Sequence, residues 1–112
     1  MTAEPAPDVR LVDVCAEADL PDGEVAVVDD ATHGRIAVFA VEGEHFGLQD
    51  ECSHQQAWLS EGFVEGCAVE CPLHASMFDL RTGVPGGPPA REAVATYAAR
   101  VEDGRVVVQV PA

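Results

Sequence analysis

The chain has 112 residues, enough for one modest core, and 47% of it is hydrophobic, an ordinary composition for a globular domain. Twenty acidic residues stand against six arginines and no lysine, a formal net charge of -14. Such a surface excludes nucleic acid and anionic membranes as partners, because both require positive charge to displace counterions.

No apolar run is long enough to span a bilayer, and the opening MTAEPAPDVR lacks the hydrophobic stretch of a signal peptide. The chain therefore reads as cytoplasmic, where thiols stay reduced and grouped cysteines bind metal more often than they pair. Residues Met1 to Asp8 carry two prolines and no periodicity and read as a flexible lead-in; residues 9–112 read as a single domain. Short apolar runs then recur, each closed by turn residues. VRLVDV precedes LPDG, EVAVVDD precedes THG, and RIAVFAV precedes EGE. HFGLQD follows, and SMFDL precedes RTG. VATYAARVEDGRVVVQV reads as a hairpin about Asp103-Gly104. This spacing predicts an all-β fold, an antiparallel sandwich or barrel of short strands. AWLSEGF alone could make a helical turn, and GVPGGPPAR, Gly83 to Arg91, predicts a shaped loop acting as connector or lid.

One segment carries chemistry: CSHQQAWLSEGFVEGCAVECPLH, from Cys52 to His74. Cys52-Ser53-His54 and Cys71-Pro72-Leu73-His74 are two clusters separated by 16 residues, each offering a thiolate and an imidazole. Cys₂His₂ is a common zinc set, and zinc stays an alternative. Zinc fingers, however, group cysteines together and histidines together, whereas here each cluster mixes the two. Mixed clusters suit a two-iron centre better, in which two histidines replace two cysteines on one iron.

C-x-H, 16 residues and C-x-x-H resemble the Rieske signature. LSEG after the first cluster, FDLRTG after the second and the Gly87-Pro88 loop extend the resemblance from about Arg10 to Val110. It implies the Rieske iron–sulfur fold with a small cluster-binding part at about residues 50–80. It also implies one [2Fe–2S] cluster, with Cys52 and Cys71 on the inner iron and His54 and His74 on the outer. High-potential members carry an added disulfide between the two loops; the matching positions here are Ala57 and Leu73. They also use a serine and a tyrosine to hydrogen-bond sulfur, where this chain has Ser76 and Phe78. Fewer such bonds stabilise the reduced cluster less, so the expected potential lies low in a range of roughly -150 to +300 mV.

The remaining residues read more plainly. Cys67 and Cys15 are expected as small core residues, with a Cys15–Cys67 disulfide disfavoured. If CAVEC is a strand, Cys67, Val69 and Cys71 share a face. Trp58 is expected either to pack over the cluster or to anchor a partner. Ala75 replaces the glycine common after the second histidine. His33 and His45 read as surface histidines, and Asp50 and Glu51 as a solvated rim.

The resemblance implies an electron carrier and not an enzyme. Such ferredoxins pass single electrons from a flavin-dependent reductase to a terminal non-haem iron oxygenase, and the expected state is a monomer. The alternatives are an accessory small subunit of a nitrite-reductase-like complex, a ferredoxin supporting iron–sulfur assembly, and a zinc-stabilised binding module.

Overall fold

The computed structural model describes residues 9–52, 57–72, 76–86 and 92–111. The lead-in, His54, Leu73, His74, Ala75 and Gly87 to Arg91 lie outside the described residues. The anticipated runs become strands: β1 (Val9–Ala16), β2 (Val25–Asp30), β3 (Gly34–Val41) and β4 (Glu44–Gln49). Three short strands follow, β5 (Phe63–Glu65), β6 (Ala68–Glu70) and β7 (Met77–Asp79). The hairpin β8 (Thr96–Glu102) and β9 (Arg105–Pro111) completes the set. Asp103 and Gly104 both take the left-handed conformation that a two-residue hairpin turn requires. AWLSEGF supplies a single 3₁₀ turn at Leu59–Glu61.

Six strands form one antiparallel sheet in the order β1-β9-β8-β4-β3-β2, and β5-β6-β7 form a second. The large sheet curls until β1 and β2 lie side by side, making a nearly closed barrel in place of a flat sandwich. Side chains, not a backbone ladder, clasp this seam. Arg10 lies 2.7 Å from the Asp30 carboxylate, and the His33 ring sits 2.8 Å from the Pro111 carbonyl and edge-on to Tyr97.

Asp30 also accepts hydrogen bonds from the Thr32 and His33 N–H groups. Burial works to raise its pKa, but Arg10 and these N–H groups outweigh burial and hold it below the ordinary 3.8. A depressed carboxyl contributes stability that is fully present above its unfolded pKa and lost as pH falls through the folded one. Asp30→Asn should therefore lower the urea midpoint by a constant amount above about pH 5, with the difference shrinking below about pH 4. An equal difference at both ends would show that the charge is not its source.

β3 explains why RIAVFAV reads as a continuous apolar run. Ile36, Val38 and Ala40 point into the barrel core with Val106, Val108 and Val110. Ala37 and Phe39 point the other way and join a second core beneath the small sheet. A strand buried on both faces loses the alternation of a half-exposed one. That second core is where the cysteines lie.

Candidate metal centre

Two hairpin tips form the site. β4 runs on to an antiparallel bridge between Glu51 and Trp58, beyond which the Cys52 N–H donates to the Ala57 carbonyl at 2.8 Å. β6 and β7 end with Glu70 opposite Met77, beyond which the Cys71 N–H donates to the Ser76 carbonyl, also at 2.8 Å. Each cysteine thus follows the last paired residue, and its N–H closes the tip onto the residue five places later.

All four closing positions face inward, with Cys52 4%, Ala57 8%, Cys71 1% and Ser76 2% exposed. Both cysteines belong to one apolar cluster with Leu59, Val69, Phe78 and Leu80. The fold therefore brings together thiols 19 residues apart in sequence. His54 and His74 lie outside the described residues.

The glycines of the two flanking motifs have steric reasons. A Cβ on Gly62 of LSEG would strike the Glu70 carbonyl, and one on Gly83 of FDLRTG would strike that of Val94. Gly83 also has a φ of +76°. FDLRTG turns on Asp79, whose side chain accepts the Arg81 N–H at 2.7 Å while its carbonyl accepts the Gly83 N–H.

The rim expectation fails at Asp50. Glu51 is exposed, but Asp50 is fully buried. Its carboxylate accepts hydrogen bonds from Arg35 Nε at 2.7 Å, the Ser60 N–H at 2.7 Å and the Ser60 hydroxyl at 2.9 Å. Its backbone N–H donates to the Arg35 carbonyl, and its carbonyl accepts the Leu59 N–H. Asp50 thus ties both limbs of the first tip to β3. The Asp50 hydrogen bond and charge, only partly countered by desolvation, raise the Arg35 pKa further.

Trp58 pairs with Glu51, so alternation turns it away from the face that carries Cys52. Its ring is partly exposed and lies beneath the Arg35 guanidinium, 4.5 Å from the ring centroid. A position shielding the thiols is not what this register provides.

Cys67 sits in the turn between β5 and β6, half-buried at the margin of the core, and its carbonyl accepts the Leu80 N–H. Cys15 lies at a bulge in β1 and packs on the other core; burial, then the Asp19 charge, push its thiol pKa up. Both are free thiols in separate clusters, so no disulfide joins them. Each is half-buried where full burial was anticipated. His33 and His45 are half-buried too, and His33 is the seam clasp already described.

Two buried thiols on matching hairpin tips above a small barrel are a pair that a thiolate-ligated metal group would use. The donors present fit iron–sulfur chemistry: soft sulfurs buried in an apolar cluster, with backbone N–H groups fixing the cysteine positions. A family model for the Rieske [2Fe–2S] domain matches residues 10–98. The 3-phenylpropionate/cinnamic acid dioxygenase ferredoxin subunit of Escherichia coli K12 is 44% identical over 98 residues, 87% of this chain and 91% of that protein.

Solved structures agree. A ferredoxin from Sphingomonas yanoikuyae B1 superposes with a TM-score of 0.83 at 33% identity, covering 91% of this chain and all of that one. A complex of reduced oxygenase and oxidised ferredoxin in carbazole 1,9a-dioxygenase contains a chain matching at TM-score 0.82 and 32% identity, over 88% of this chain and 91% of that one. This chain belongs to the Rieske [2Fe–2S] domain family. The anticipated all-β Rieske architecture and family resemblance hold, and membership implies an iron–sulfur group.

Proposed function

We propose that this chain is a ferredoxin that passes single electrons from a flavin-dependent reductase to a terminal non-haem iron oxygenase. Cys52, His54, Cys71 and His74 hold one [2Fe–2S] cluster, the cysteines on the inner iron and the histidines on the outer. The observation that carries this reading is the pair of buried thiols at identically closed hairpin tips. Its ferredoxin-subunit relatives, similar over nearly their whole length, are carrier components and not oxygenases, and this role fits the chain. Residues 9–112 act as a single domain, with the cluster-binding part at about residues 50–80.

When bound, such a cluster supplies a one-electron couple. The chain's own task is to keep water from the sulfurs and to fix the thiols so that little rearranges on reduction. Leu59, Val69, Phe78 and Leu80 do the first, and the two closing N–H bonds and Asp50 do the second. The buried Phe78 has no hydroxyl, which leaves Ser76 as the one hydroxyl of the serine–tyrosine pair, so few hydrogen-bond donors oppose the negative charge gained on reduction.

A single redox titration tests the reading. The dithionite-reduced protein should give a rhombic electron paramagnetic resonance signal of low average g. Its midpoint should fall in the lower part of the span from roughly -150 to +300 mV. Silence together with stoichiometric zinc would leave a zinc-stabilised module.

A second reading, an accessory subunit, is favoured by the fold of a protein assigned as the small subunit of an NADH-dependent nitrite reductase from Mycobacterium tuberculosis. It matches at TM-score 0.83 and 26% identity, over 93% of this chain and 97% of that one. The complete Cys/His set in this sequence favours the carrier. Turnover of an oxygenase that depends on added holoprotein separates the two.

A further inference from the structure

The outer face of the small sheet carries an apolar pattern that neither core uses. Cross-strand register places Phe63, Glu70 and Met77 in one row and Glu65, Ala68 and Asp79 in another. Both rows lie opposite the inward row of Val64, Val69 and Phe78, of which Val69 and Phe78 are fully buried. Residues 84–86 extend the sheet beyond β7. The Asp79 N–H donates to the Val84 carbonyl at 3.0 Å, Phe78 bridges Pro85, and the Gly86 N–H donates to the Met77 carbonyl at 2.7 Å. Val84 thereby joins the outer face, beside a groove of about 440 Å³ that Ala68 and Met77 also line.

Among the described residues five large apolar side chains are exposed: Leu11, Trp58, Phe63, Val64 and Val84. Two of them lie on this outer face, Phe63 (65%) and Val84 (53%), and they are the most exposed of the five, whereas Val64 belongs to the inward row. With the half-buried Ala68 and Met77 between them, Phe63 and Val84 make a face of the kind that marks an interaction surface, whereas scattered single residues do not.

We infer that this face docks a redox partner protein whose contact surface interleaves apolar side chains with lysine or arginine. Glu65, Glu70 and Asp79 stand between Phe63, Ala68, Met77 and Val84, so the occupant must supply positive charge as well as apolar area. A second copy of this chain is the wrong occupant. It would bring six of these carboxylates together, on top of a net charge of -14 per chain. The face is also continuous with the metal centre, because Cys71 directly follows β6 and Ser76 directly precedes β7. A partner seated there rests on the strands that carry the second cysteine tip. The inference rests on the carrier reading.

Stopped-flow oxidation of the dithionite-reduced holoprotein by cytochrome c, a lysine-rich electron acceptor, tests it. The Phe63→Ser/Val84→Ser variant should react at least fivefold more slowly at low ionic strength, with its resonance signal and midpoint potential unchanged. Leu11→Ser, a truncation at the exposed apolar residue on β1, should react as the wild type does. Glu65→Arg keeps the apolar residues and should also slow the reaction, with a weaker salt dependence. Equal rates for the double variant, Leu11→Ser and the wild type would overturn the docking face while leaving the carrier reading intact. A wild-type dimer in sedimentation that the double variant abolishes would overturn it in favour of self-association. A wild type without the resonance signal would remove the carrier reading, and the inference with it.

Discussion

Asp50→Ala should lower folding stability by about 3 kcal/mol and reduce the iron retained per chain. The size of the effect is set by what the carboxylate touches. Removing one partner of a buried ion pair costs about 3–5 kcal/mol, because the other charge is left uncompensated. The Arg35 side chain is about a third exposed and can recover water, which places the cost at the low end. The half-buried Ser60 loses two acceptors at once, since its N–H and its hydroxyl both donate to Asp50. An unsatisfied buried donor costs about 1–3 kcal/mol, a cost that overlaps with the first and does not simply add to it. Iron retention should fall because Asp50 ties the strand that leads into Cys52 to the 3₁₀ turn that leaves the tip. Asp50→Asn still offers an acceptor to Ser60 and should lie between alanine and wild type. Urea denaturation of the holoprotein with iron quantified alongside checks this. A midpoint within error of wild type for Asp50→Ala would mean that the first tip closes without Asp50.

That Asp50 was misread from sequence shows where local reading stops. Its neighbours QDEC look like any polar turn, and the partners that make its burial tolerable, Arg35 and Ser60, lie 15 residues before and 10 after it. One signal was available. If Cys52 faces inward at the end of a strand, alternation places Asp50 inward too, and a buried carboxylate then demands a cation nearby. The large hairpins were legible because each announces itself locally, through alternation and a turn such as Asp103-Gly104. β5 was not: Phe63, Val64 and Glu65 are all exposed, and the strand exists only through its pairing with β6. The choice between sandwich and barrel was also out of reach, since the seam is closed by Arg10, Asp30 and His33 contacts across the fold. The cysteine pair was legible because ligand spacing is a local pattern. The matched closure of both tips was not, because each depends on a backbone bond that composition does not reveal.

Serine at Cys52 or at Cys71 should abolish the resonance signal and the bound iron, whereas serine at Cys67 or Cys15 should leave both. All four are cysteines of one chain, so position alone separates them. Cys52 and Cys71 are almost wholly buried at the hairpin tips, within one cluster. Cys67 lies in the β5–β6 turn, where the bond it makes with Leu80 uses its carbonyl and does not need its thiol. Cys15 packs on the opposite core. A buried serine carries its own cost, about 1–3 kcal/mol for a hydroxyl lacking a partner, so lost iron alone could reflect a weakened fold. Ala57→Ser supplies the control. It buries a hydroxyl at the closing position of the first tip while keeping all four proposed ligands, and it should retain the signal. If Cys67→Ser lost the iron while Cys71→Ser kept it, the ligand set would have to be redrawn around the β5–β6 turn. If Ala57→Ser lost it as completely as Cys52→Ser, packing at the tip, and not sulfur ligation, would explain the dependence.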